Sequence, residues 1–129
     1  MKVPDLGDLE QAGVHAWTGD AKALSSAAQA SGLRYLVADL SHANSKNDLM
    51  KALDSGLKLP SHFGANWDAL ADTLEDDDWF GNAGAVVLIQ HANAYRKAHA
   101  QDWTTLEDIL AEAADYWREL RKPFWVFVH

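Results

Sequence analysis

From Leu33 to Leu40 the chain reads LRYLVADL, an apolar run of the length expected for a buried strand. AVVLIQ at Ala85–Gln90 is a second such run, and FWVFV at Phe124–Val128, opening just after Pro123, is a third. A shorter stretch, Val14–Trp17, predicts one more strand. Between these runs the apolar period lengthens to that of a helix. AKALSSAAQAS follows Gly19-Asp20 and closes at Gly32 as a C-cap. Ser45 and Asp48 form a capping pair ahead of Leu49, Met50, Leu53 and Leu57 at helical spacing. His91–Gln101 is polar with helical character. Thr104 and Glu107 read as a capping box, which predicts a helix starting there with the stripe Leu106, Ile109, Leu110, Ala113 and Trp117. Residues 1–13 are polar, carry Pro4, Gly7 and Gly13, and predict a loosely held arm.

Strands that alternate with helices predict an α/β domain, a small parallel sheet of three to four strands with helices packed on it through right-handed crossovers. A chain of 129 residues without repeats or low-complexity linkers predicts a single domain with a real core.

Composition narrows the chemistry. Asp and Glu number 19 against 11 Lys and Arg, a formal net charge of −8. Phosphate binding needs a basic surface, so nucleic acid and anionic membranes are poor partners and a basic protein is favoured. With no cysteine, thiol catalysis, disulfides and zinc–thiolate sites are excluded. The first residues lack the apolar core of a signal peptide, and no run of ~18 apolar residues exists to span a membrane, so a cytoplasmic protein is expected. None of His15, His42, His62, His91, His99 and His129 falls into a metal-ligand pattern, and no metal or cofactor is expected. No G-x-S-x-G, P-loop or G-x-G-x-x-G pattern occurs, and Gly81-Asn-Ala-Gly84 reads as a turn before a strand.

The stretch with chemical content is LPSHFGANWDALADTL, Leu59–Leu74. A Pro- and Gly-containing loop leads into a short helix with Asn66 as its N-cap. Asp68 and Asp72 share one face of that helix, while Trp67, Leu70 and Leu74 take the other. Neither aspartate has a Lys or Arg four residues on, nor a His placed to complete a metal face. The pair is either a solvated helix face or an anionic recognition face. Asp68 lies in the first turn, where the helix dipole favours negative charge, and Glu75-Asp76-Asp77-Asp78 extends the field. His62 stands in the loop beside the pair, either functional or simply packed on Phe63. Trp117 and Trp125 fit core positions, Trp67 is assigned to the core, and Trp79 is left open between core and interface.

These residues resemble the barstar family of intracellular inhibitors of a secreted bacterial ribonuclease. The shared frame is Leu59-Pro60, Gly64, Asn66, Asp68-Ala69-Leu70, Asp72 and Leu74, with looser similarity from Leu33 to the last strand. The resemblance implies a three-stranded parallel sheet over residues 33–129, with residues 14–32 an added strand–helix unit. It also implies an inhibitor that plugs the active site of a basic nuclease with the acidic helix and the loop before it, monomeric when free and without catalysis of its own. Asp72 then occupies a phosphate site of the enzyme with Asp68 as its companion, while Asn66 and Gly64 shape the loop. A further acidic contact from the later helix falls on Asp115. Two positions depart from the family, which has a tyrosine where His62 stands and a tryptophan where Ala71 stands. The competing readings are a non-inhibitory acidic domain that binds another basic protein, and a small hydrolase using Asp68 and Asp72.

Overall fold

A computed structural model describes residues 2–129. The elements in chain order are β1 (Val14–Ala16), α1 (Ala21–Ala30), β2 (Arg34–Asp39), α2 (Lys46–Gly56), α3 (Trp67–Leu74), α4 (Asp77–Phe80), β3 (Ala85–Gln90), α5 (Asn93–Ala98), α6 (Ala100–Glu119) and β4 (Phe124–Val128). The strands form one parallel sheet in the order β1-β4-β3-β2. Val87 sits between Leu36 and Val126, which fixes the register across its three longest strands.

The topology explains why both faces of the sheet are covered. The β1-to-β2 connection carries the chain from one edge to the other, and β2, β3 and β4 then step back. Right-handed crossovers that travel in opposite directions lie on opposite faces. Accordingly, Leu24 and Ala28 of α1 pack on Val86, Leu88, Trp125 and Phe127. Helices α2, α3 and α6 bury their stripes on the other face against Val87, Ile89, Phe124 and Val126. Strands β3 and β4 are buried on both sides, which is why they read as continuous apolar runs rather than alternating ones. Helix α2 approaches β2 closely at Gly56, where a Cβ would stand 2.4 Å from the Val37 carbonyl oxygen.

Two expectations need correction. The segment 6–12 is not loosely held. Leu6 and Ala12 are buried, the Trp125 Nε1–H donates to the Leu6 carbonyl at 3.0 Å, and the Arg118 guanidinium donates to the carbonyls of Leu9 and Ala12. This segment closes the sheet face that α1 alone leaves open. The last helix starts at Ala100, not at Thr104. Trp103 is buried and extends the apolar stripe one turn upstream, so the Thr104 hydroxyl lies inside the helix and donates to the Ala100 carbonyl at 3.1 Å.

No helix among the described residues is long and apolar enough to cross a membrane.

Candidate functional site

The acidic helix is placed by the way α2 ends. Lys58 takes a left-handed backbone (φ 53°) just past α2, and the Leu59 N–H reaches back to the Asp54 carbonyl at 3.1 Å. Leu59 is buried, so the following loop is pinned at its root. The Phe63 N–H closes a turn onto the Pro60 carbonyl at 2.9 Å, and Ala65 (φ 54°) turns the chain into α3. Asn66 serves both sides of that turn. Its Oδ1 accepts from the Ala69 N–H at 2.8 Å, and its Nδ2–H donates to the Gly64 carbonyl at 3.3 Å. Gly64 is less constrained than its loop position suggests, because an added Cβ would meet the Ala69 Cβ and Asn66 Nδ2 at an ordinary 3.4 Å.

Along α3 the fully buried Leu70 and Leu74 face the core. Asp68 and Asp72 are exposed one turn apart, with Ala71 half-buried between them. Asp72 borders a hollow of about 230 Å³ whose other walls include His62, Phe63, Gly64, Ala69 and Asp76. The structure therefore brings His62, Gly64 and Asp72 together, with Asn66, Asp68 and Ala71 on the same loop and helix. The two ion pairs among the described residues are His91–Asp39 and Arg118–Asp115, so neither Asp68 nor Asp72 is neutralised within them. No group of three or more His, Asp or Glu side chains among the described residues has the geometry of a metal site.

The negative face extends past α3. Partial burial raises the Glu75 pKa, and the nearby Glu112 and Asp72 carboxylates raise it further. The native state thus favours protonated Glu75. Its contribution to stability is present at low pH and lost as pH rises through that raised pKa, so at neutral pH the cluster works against the fold.

Asp115 does not join this face. Its carboxylate accepts from Arg118 Nη1–H at 2.5 Å, and that guanidinium is anchored on the carbonyls of Leu9 and Ala12. Asp115 borders a separate groove with Gln11, Gly13 and His15. Glu112 of α6, which the sequence reading did not single out, lies near enough to Glu75 at the end of α3 to help raise its pKa. A signal existed in principle: Arg118 lies three residues after Asp115 and offers a local partner, whereas Glu112 has no cation at that spacing.

The tryptophans divide cleanly. Trp79 is buried, and its Nε1–H donates to the Leu57 carbonyl at 2.8 Å, tying α4 to the end of α2. Trp67 is only half-buried at the core margin, with Lys46 Nζ 5.5 Å from its ring centroid. The ion pair of Asp39 with His91, at 2.9 Å, lies at the carboxyl ends of β2 and β3. Hydrogen bonds from Ser41, then from His91, hold the Asp39 pKa down at about 2, so its support of the fold is lost only as pH falls towards that value.

The chain is a parallel α/β domain with exposed carboxylates, unpaired among the described residues, on one side of a capped helix. The family model described as barstar (barnase inhibitor) matches residues 33–129, and the chain belongs to the barstar family. No curated protein matches the chain. Strand β1 and helix α1 lie outside the matched segment, one extending the sheet beside β4 and the other covering its second face.

Proposed function

We propose that this protein binds a basic ribonuclease, or a related nuclease toxin, and blocks its active site with α3 and the loop before it. The observation that carries the reading is the exposed pair Asp68 and Asp72, unpaired among the described residues and held on a helix whose start is fixed by Asn66. A ribonuclease holds phosphates in a cationic cleft. Two carboxylates on a rigid helix satisfy those cations with charge-assisted hydrogen bonds, with little entropy left to lose. Asp72, beside the hollow, takes the phosphate position, and Asp68 supports it from the preceding turn. His62, Gly64 and Asn66 supply the contact surface of the loop, and Ala71 leaves room on the helix face. Glu112 replaces Asp115 as the acidic contribution of α6. The surplus of negative charge speeds capture at low salt, as an immunity protein guarding its own cytoplasm against a secreted enzyme requires.

The inhibitor acts by occlusion as a monomer and performs no chemistry. The family's description names barnase, so barnase is the first target to test, followed by other basic secreted bacterial ribonucleases. Titration into an RNA-cleavage assay is expected to abolish turnover of the matching enzyme at a one-to-one ratio. Binding that leaves turnover intact would instead identify a non-inhibitory acidic domain, and no binding to any such enzyme overturns the proposal.

A further inference from the structure

Beside the acidic face the chain builds a second and larger concavity of mixed charge. A cleft of about 520 Å³ runs between the segment after α2 and the turn that carries α4. Arg34, Lys58 and His62 line it together with Asp76, Asp78 and Trp79. His62 and Asp76 also border the hollow at Asp72, so the two concavities share a wall.

The charged groups of this cleft are not equivalent. Arg34 is committed to the fold: its guanidinium donates to the Trp79 carbonyl, reaches the Phe80 carbonyl at 3.4 Å, and lies 5.7 Å from the Trp79 ring centroid. Asp76 is partly committed, because its Oδ1 accepts from the Asp78 N–H at 2.9 Å. Lys58 is exposed, sits on the left-handed backbone that directs the chain into the loop, and has no ion pair among the described residues. His62 is exposed at the common wall.

An unpaired lysine next to the recognition face opposes the electrostatic attraction that the rest of that face provides. A basic partner approaches more slowly because of it. Such a charge adds to binding only where it meets a local charge of opposite sign, and there it also rejects partners that lack one. We infer that the cleft is a second recognition subsite in which Lys58, with His62 at the mouth, accepts a carboxylate side chain of the partner. The inference rests on the reading of α3 as the ribonuclease-binding face. The partner it fits is a ribonuclease whose rim, beside the cationic cleft, carries an exposed Asp or Glu. Asp76 and Asp78 line the same cleft and only accept hydrogen bonds when ionised, so an isolated anion of any kind is a poor occupant and the carboxylate that meets Lys58 must come with donors beside it. A protein side chain arrives with neighbouring donors for those carboxylates.

The test is a sign. Lys58→Ala and Lys58→Glu both keep a Cβ on the left-handed backbone, so strain is constant between the two variants. Both are measured by stopped-flow association and equilibrium titration against the ribonuclease that the wild-type chain inhibits. An occupied subsite predicts that Lys58→Glu weakens binding by ~10-fold or more, mainly through faster dissociation, with Lys58→Ala intermediate. Replacing the facing rim carboxylate of the ribonuclease by lysine then restores binding to Lys58→Glu. An idle cleft predicts the reverse: Lys58→Glu adds negative charge, speeds capture and tightens binding, and that result, or unchanged affinity, overturns the subsite while leaving the acidic face intact. If the wild-type chain inhibits no ribonuclease, both readings fall together.

Discussion

Asp72→Ala is expected to weaken binding to the inhibited ribonuclease by at least ~2 kcal/mol, about 30-fold, whereas Glu10→Ala changes it little. Asp72 is exposed, unpaired among the described residues and at the edge of the hollow formed with His62 and Gly64. In the proposed complex it is buried against cations. Truncation therefore removes the charge-assisted bonds and leaves the enzyme's cations desolvated without a partner, the costlier half of the loss. The upper end of such effects is set by an aspartate of barstar itself, so a larger loss here follows the family and is not independent support. Glu10 is equally acidic and exposed but lies with Asp115 at the other groove, so it reports the effect of net charge alone. Loss of binding is not confounded by loss of fold. The Asp72 side chain makes no hydrogen bond among the described residues, its backbone carbonyl still accepts from the Glu75 N–H in the variant, and alanine has the better helix propensity, so the variant should unfold no earlier than wild type. Equal affinities for the two variants would remove Asp72 from the interface.

Trp117→Ala is expected to cost ~3–5 kcal/mol of stability, a large share of the ~5–15 kcal/mol typical of a domain. Trp117 is fully buried and stacks on Phe80 with ring centroids 3.9 Å apart at 9°. Its Nε1–H donates to the Leu74 carbonyl at 2.7 Å. Leu74 is the last residue of α3, so this one side chain fastens the acidic helix to α6 and, through Phe80, to α4. Like charges on Glu75 and Glu112 push against the same junction. Trp117→Phe retains most of the packing and gives up the bond, for a smaller loss of ~1–3 kcal/mol. Urea unfolding measures both, as a fall in midpoint at unchanged slope. A midpoint for the alanine variant close to wild type would show that α3 is held by other contacts.

Much of the fold was legible because its determinants are local. Strands β3 and β4 are buried on both faces and so announce themselves as unbroken apolar runs. Helix α3 was legible from Asn66, whose side chain makes the cap that the spacing implied. The parts that were missed depend on residues far apart in sequence. Leu6 looks dispensable in a polar segment until Trp125, 119 residues away, takes its carbonyl. Asp115 and Glu112 lie on one helix, and only the anchoring of Arg118 on the first residues shows which of them is turned from the acidic face. The start of α6 was misplaced because a Thr–Glu spacing is a cap only where the chain has not already begun its helix. The cleft beside Lys58 had no sequence signature, since it is assembled from β2, the end of α2, the loop and the α4 turn.

On the proposed mode of binding, the acidic helix and a phosphate ligand compete for one place on the enzyme. Affinity of the wild-type chain for the ribonuclease, measured against rising concentrations of a nucleoside 3′-phosphate that fills the active site, tests it most directly. Competition predicts that the apparent Kd rises in proportion to nucleotide occupancy, and that Asp72→Ala loses most of that dependence. An apparent Kd that stays constant at saturating nucleotide would place the contact elsewhere on the enzyme and contradict the claim.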